Sequence, residues 1–364
     1  MRKILLLLTV FLAACSGGNS DGPALTFADF DNPPTTSEVL GGSSTTSPLP
    51  ASTTTSSTST TTSTTLLVID TPGPVTILTS SDYSVLQGRG APRRLLDAPV
   101  EAGFDDLDGG FLFQMPGAGS DTAADQRIFW SRASNPEAQP YLDVNDGSLL
   151  KLWAVEPIDG APTMILTITD DADDPVQRIE RLVVFDFVTG DRVLGEVGSA
   201  GSGPTAISYG GGRFILEQLS GSQSRFEFRN DQGAVIDLAS NPHKGCSDDP
   251  TCPTTPALDP SGSFLAYLQP AADETVDLVV YDVDLGEEIG RIGLPEGAAG
   301  ASGLDFDAST VIVNPADRDG RAIVVDTERA TVGEFGLAGV VQFLRSEPGF
   351  DGPIELLTGA DAGA

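Results

Sequence analysis

A hairpin that returns every 43–53 residues constrains this chain more than any other feature. Residues 182–194 (LVVFDFVTGDRVL), 225–238 (RFEFRNDQGAVIDL), 278–292 (LVVYDVDLGEEIGRI) and 322–335 (AIVVDTERATVGEF) share one shape. Each is an apolar strand, a polar turn and a second strand. With Asp186, Arg229, Asp282 and Asp326 set in one column, the spacings are 43, 53 and 44 residues. Four residues on, the column reads Gly190, Gly233, Gly286 and Ala330. Weaker copies lie upstream, around Arg132 (RIFWSRASNPEAQPYL) and Gln87 (YSVLQGRGAPRRLL). No segment shows a sustained 3.6-residue apolar period, so the chain reads as short strands and turns.

A second pattern alternates with the first. Asp106-Leu-Asp-Gly109-Gly-Phe111, Tyr209-Gly-Gly-Gly212-Arg-Phe214 and Asp259-Pro-Ser-Gly262-Ser-Phe264 each place Gly three residues on and an aromatic five residues on. A less regular copy runs through Asp305 to Val313. This is a tight strand–turn–strand unit whose Gly supplies a positive φ. Two hairpins per period make a four-stranded antiparallel sheet, the blade of a β-propeller. The residue count predicts six or seven blades. Apolar stretches at 66–77 and 340–357 are expected to pair and close the ring between the two chain ends, which removes free sheet edges. Tandem β-sandwiches are the alternative, although they do not repeat a hairpin register at this spacing.

The segment 258–268, LDPSGSFLAYL, resembles the "PDG…LAF" strand pair of the WD40-like repeats in TolB-type propellers. The likeness extends over most of residues 80–340. It implies the propeller fold and carries no activity with it.

The N-terminus speaks to location. Arg2 and Lys3 precede an apolar run from Ile4 to Leu12, and Leu12-Ala13-Ala14-Cys15 follows. The run is shorter than the roughly 20 residues that span a bilayer, and its flanks are those of a secretory signal. The four residues ending at Cys15 resemble the lipobox of bacterial lipoproteins. That resemblance implies removal of residues 1–14 and lipidation of Cys15, with the mature chain held at the extracytoplasmic side of the cell membrane. Residues 15–65 are then a tether. Its stretch 43–65 is almost wholly Ser, Thr and Pro, too poor in apolar surface to offset ordering entropy. As a flexible coil the whole tether, residues 15–65, spans on the order of 40 Å. Such tracts also serve as O-glycosylated stalks, and the residues leave that choice open. Residues 66–364 form the propeller domain.

Twenty basic against 52 acidic residues give a net charge of −32, which repels nucleic acid and anionic headgroups. Of three Cys, Cys246 and Cys252 remain after Cys15, separated by SDDPT in the insertion that lengthens one repeat. In an oxidising compartment they read as a disulfide that stiffens a surface loop. His243 lies nearby, yet one His and two Cys at this spacing match no zinc pattern.

Catalytic constellations are sparse. His243 is the sole His, and there is no G-x-S-x-G elbow, no H-E-x-x-H and no Walker A loop. Asp170, Asp171, Asp173 and Asp174, and Asp317 with Asp319, resemble calcium loops without completing one; turn-capping Asp explains them more simply. Trp130 and Trp153 offer a sugar-stacking platform as one reading, and core packing as the simpler one, since both sit in strand-like segments. No catalytic, metal or cofactor residue is assigned. The expected function is a lipid-anchored binding or scaffold module for a protein, peptide or glycan at the cell envelope. The alternative is a carbohydrate-active hydrolase or lyase using channel carboxylates.

Overall fold

The structure, a computed structural model, describes the backbone of four strands between residues 67 and 96 and most of residues 102–345. All of these belong to one unit, Ser63–Ala364. Cys15, the Ser/Thr-rich tether and Asp170, Asp171, Asp173 and Asp174 lie outside the described residues.

The fold is an all-β propeller with four-stranded antiparallel blades. Among the described residues the strands form six sheets, so seven is not reached. Sheet I joins the two chain ends: β25 (Val340–Phe343), β2 (Val75–Leu78), β3 (Val85–Gly88) and β4 (Arg93–Leu96). Sheet II holds β5 (Ala102–Asp105), β6 (Gly110–Gln114), β7 (Arg127–Arg132) and β8 (Asn135–Asp143). Sheet III holds β9 (Leu149–Ile158), β10 (Ala161–Thr169), β11 (Ile179–Asp186) and β12 (Gly190–Ser199). Sheet IV holds β13 (Pro204–Gly210), β14 (Arg213–Ser220), β15 (Gln223–Asn230) and β16 (Val235–Ile236). Sheet V holds β17 (Thr254–Leu258), β18 (Phe264–Pro270), β19 (Val276–Asp282) and β20 (Glu287–Gly293). Sheet VI holds β21 (Gly303–Asp307), β22 (Thr310–Asn314), β23 (Arg321–Asp326) and β24 (Thr331–Ala338), and β1 (Leu67–Val68) adds a fifth strand parallel to β24.

The ring closes where β25 pairs antiparallel with β2, matching Val341 to Ile77 and Phe343 to Val75. Tandem sandwiches are thereby excluded, because the packing partners are successive sheets around a common axis rather than two sheets face to face. Apolar clusters fill the seams. Ile165, Leu182 and Val184 of sheet III meet Ile207, Phe214 and Leu216 of sheet IV. Leu268, Leu278 and Val280 of sheet V meet Phe306, Val311 and Val325 of sheet VI. Ile312 and Val324 of sheet VI meet Val341 and Phe343 of sheet I. Middle strands such as β22 are buried along their whole length, because a seam covers each face; this accounts for their continuous apolar runs. Outer strands such as β20 are largely exposed.

The turn column divides by chemistry. Asp186 Oδ1 accepts the backbone N–H groups of Val188 (2.6 Å) and Thr189 (2.8 Å). Asp282 Oδ1 does the same for Asp284 (3.0 Å) and Leu285 (2.8 Å), and Asp326 for Arg329 (2.9 Å). In sheet IV the neighbouring residue takes this part: Asn230 Oδ1 accepts from Gln232 (3.0 Å) and Ala234 (2.9 Å). Arg229 instead turns into the seam, donating to the Glu196 carbonyl of sheet III (2.8 Å) and pairing with Glu227 (2.7 Å).

Ala330 holds φ 51° at the position where Gly190 and Gly286 hold 88° and 74°. An L-residue there costs about 1–2 kcal/mol, and Gly gives back roughly 0.5–1 kcal/mol of chain entropy. Ala330→Gly is therefore expected to stabilise the domain by about 0.5–1 kcal/mol, read as a raised midpoint of urea unfolding.

Candidate functional site: the central channel

The first strand of each sheet faces the axis. β5, β9, β13, β17, β21 and β25 together wall an open channel of about 220 Å³. An inner strand is a sheet edge, with backbone groups that no neighbouring strand satisfies. Side chains from the preceding sheet capture several of them. Gln114 of sheet II accepts the Leu152 N–H (3.2 Å) and donates to the Leu150 carbonyl (2.6 Å). Ser208 Oγ of sheet IV accepts the Leu258 N–H (3.0 Å), and Glu217 accepts that of Thr255 (3.3 Å). Asn314 Oδ1 of sheet VI accepts the Val341 N–H (2.8 Å). The seams are thus stitched beside the channel as well as packed behind it.

Thr255 lines the channel with φ 54°. A β-branched residue in the left-handed region is strained and persists only where its surroundings hold it. Here the buried Glu217 carboxylate, which also accepts from Ser224 Oγ (2.7 Å), fixes its N–H.

One ion cluster occupies the wall between sheets III, VI and I. Arg345, just beyond β25, places Nη2 2.9 Å from Asp305, Nη1 3.6 Å from Asp307 and Nε 3.7 Å from Glu156. Nη2 also donates to the Phe306 carbonyl (3.3 Å). Asp305 in turn accepts the Phe343 N–H (2.5 Å). The Arg345 side chain is 16% exposed, and Glu156 and Asp305 are similarly covered. Burial pushes the Asp305 carboxyl above its usual range despite the neighbouring guanidinium.

The residues singled out from sequence separate on this frame. Cys246 and Cys252 form a disulfide, with Cα atoms 5.7 Å apart, in the connection that leads into β17. Asp317 caps its own turn, accepting the N–H groups of Asp319 (3.0 Å) and Gly320 (3.2 Å). Among the described residues no group of three or more His, Cys, Asp or Glu side chains is placed to hold a metal ion. Trp130 packs at the II–III seam. Trp153 packs at the III–IV seam but also lines the channel, its Nε1 donating to Thr167 (3.0 Å) and its ring lying 3.4 Å under Lys151 Nζ.

His243 is buried at 4% exposure against the Phe226 ring (centroids 5.1 Å), and its Nε2 has no hydrogen-bond partner. Burial holds this imidazole below its usual 6.5, partly countered by Glu217. The fold then takes up the proton less readily than the unfolded chain does. The neutral ring's stability is complete above pH 6.5 and is lost as pH falls through the depressed value. His243→Leu is expected to reduce the loss of stability between pH 7.5 and 5, measured by urea unfolding at each pH.

No protein-family model matches the chain, and no curated protein matches it. Solved structures share its architecture. A chain from the crystal structure of a nidogen/laminin complex is similar over 76% of this chain and 99% of its own length, at 13% identity and a TM-score of 0.51. TolB from Acinetobacter baumannii aligns over 74% of this chain at 12% identity with a TM-score of 0.49, and this chain spans 65% of that protein. A putative TolB from Agrobacterium tumefaciens aligns over 74% of this chain and 90% of its own, at 16% identity and a TM-score of 0.47.

Proposed function

We propose that this chain is a lipid-anchored, extracytoplasmic propeller that binds a protein, peptide or glycan at the cell envelope. The observation that carries the binding reading is the channel. Six inner strands converge on it, and largely covered charged groups from three sheets meet in its wall. A rigid frame that holds polar groups over a partly apolar opening suits recognition. The similar chain from a nidogen/laminin complex belongs to an assembly of two proteins, in keeping with this use of the fold. The anchor rests on the lipobox resemblance at Cys15, and residues 16–65 give the domain its reach.

Two measurements test this reading. Metabolic labelling with a palmitate analogue should mark the wild-type chain and not Cys15→Ala, which should leave the membrane fraction. Crosslinking in intact envelopes followed by recovery of the full chain should yield a discrete partner. Recovery of the chain alone, with and without crosslinker, contradicts the binding role.

A second reading is favoured by one observation. Glu156 and Asp305 converge in the channel wall with Asp307 beside them on Arg345, and the raised Asp305 carboxyl suits a general acid. As a carbohydrate-active hydrolase or lyase the protein should turn over a polysaccharide, and Asp305→Asn should abolish that turnover. An absence of turnover across acidic and neutral polysaccharides removes this reading.

A further inference from the structure

The group at the centre of the channel cluster does not come from the frame. Glu156 stands on β9, and Asp305 and Asp307 stand on β21, all held by ladder pairing. Arg345 lies beyond the last strand, and the chain reaches back from there to place a guanidinium between two sheets. What the frame supplies is acceptors: three carboxylates and the Phe306 carbonyl. Gln342, also in the channel wall, adds a buried Oε1 that has no hydrogen-bond partner. Five N–H donors in a flat fork match such a spread of acceptors, whereas a lysine ammonium meets them as a point charge.

Resting on the binding role above, we propose that this part of the channel is a guanidinium receptor. Arg345 fills it in cis, and an arginine side chain of a peptide or protein partner enters by taking Arg345's place. The tethered Arg345 competes at an effective concentration in the millimolar range, so the wild-type site is self-occupied until a partner brings further contacts.

The test is a titration of the full-length chain and of Arg345→Ala with N-acetyl-arginine amide, with N-acetyl-lysine amide as the control. Arg345→Ala should bind the arginine probe saturably and at least about tenfold more tightly than wild type, with a rise in Tm. The lysine probe should do much less. Asp305→Asn in the Arg345→Ala background should remove the arginine effect. If Arg345→Ala does not fold alone, its refolding yield is measured with each probe, and recovery with the arginine probe only supports the receptor. Equal effects of the two probes, no gain over wild type, or no recovery on refolding overturns it. A partner that crosslinks to the channel while the probes fail overturns this inference and leaves the binding role standing.

Discussion

Truncation after Gly339, which deletes β25, is expected to leave a chain that no longer unfolds cooperatively. β25 is the inner strand of sheet I, which joins the two chain ends, and it pairs with β2 along its whole length. Val341 is wholly buried and Phe343 is 5% exposed, both in the seam with sheet VI. Loss of a buried Phe costs about 3–5 kcal/mol, and loss of a buried aliphatic side chain about 2–5 kcal/mol. The deletion also strands Asn314 and Asp305, whose side chains accept the β25 N–H groups. It exposes the edge of β2 as well. The sum matches or exceeds the roughly 5–15 kcal/mol that holds a domain together. Circular dichroism with urea reads the result, and a chain ending at Arg345 separates the strand from the residues beyond it. A cooperative transition retained within about 2 kcal/mol of wild type would show that the ring does not depend on this closure.

Gly211→Ala is expected to be the most damaging single substitution in the described hairpin turns. The β13–β14 turn of sheet IV lies directly on the β17–β18 turn of sheet V, with the Gly211 N–H donating to the Pro260 carbonyl (3.0 Å). A Cβ on Gly211 would stand 1.7 Å from the Ser261 carbonyl oxygen, at φ 52°. Neither backbone can yield without opening the seam. The left-handed conformation costs about 1–2 kcal/mol, and the clash adds roughly 1–3 kcal/mol or more. A loss of about 2–5 kcal/mol follows. Gly212→Ala is the internal control: φ is 81° but nothing lies within 4 Å, so only the conformational cost of about 1–2 kcal/mol applies. Chemical denaturation of the pair separates close approach from backbone preference; equal losses would mean that the turns do not stack.

The hairpins were legible because local chemistry writes them. Apolar runs ending in Asp and followed four residues later by Gly mark a strand, an Asp-capped turn and a returning strand, and the structure places β11–β12 and β19–β20 there. The Asp259 motif was legible for the same reason: Asp259 accepts the Ser261 and Phe264 N–H groups (3.1 and 2.8 Å) and closes its own turn. The β9–β10 hairpin went unread although its Asp159-Gly160 turn, with φ 53° and 80°, is a strong two-residue signal. It fits neither repeat column. Arg229 shares the column of the turn-capping Asp residues because Gly233 follows at the same spacing, yet its guanidinium reaches the Glu196 carbonyl of sheet III as well as Glu227 and the Gly233 carbonyl of its own sheet. The channel cluster could not be read at all. Glu156, Asp305 and Arg345 are brought together by closure of the ring; Asp305 stands out in sequence only as the start of an irregular turn motif, and nothing marks Glu156 or Arg345 among 52 acidic and 20 basic residues.

A partner is expected to bind at the channel end of the inner strands. A photoreactive residue at Thr205, exposed in the channel wall, tests it against one at Val235, exposed on an outer strand. Both are expressed in the full-length chain and irradiated in intact cells. A discrete adduct from Thr205 that is absent from Val235 is the predicted result. An adduct from Val235 alone, or the same adducts from both, would place recognition on the rim and contradict the account.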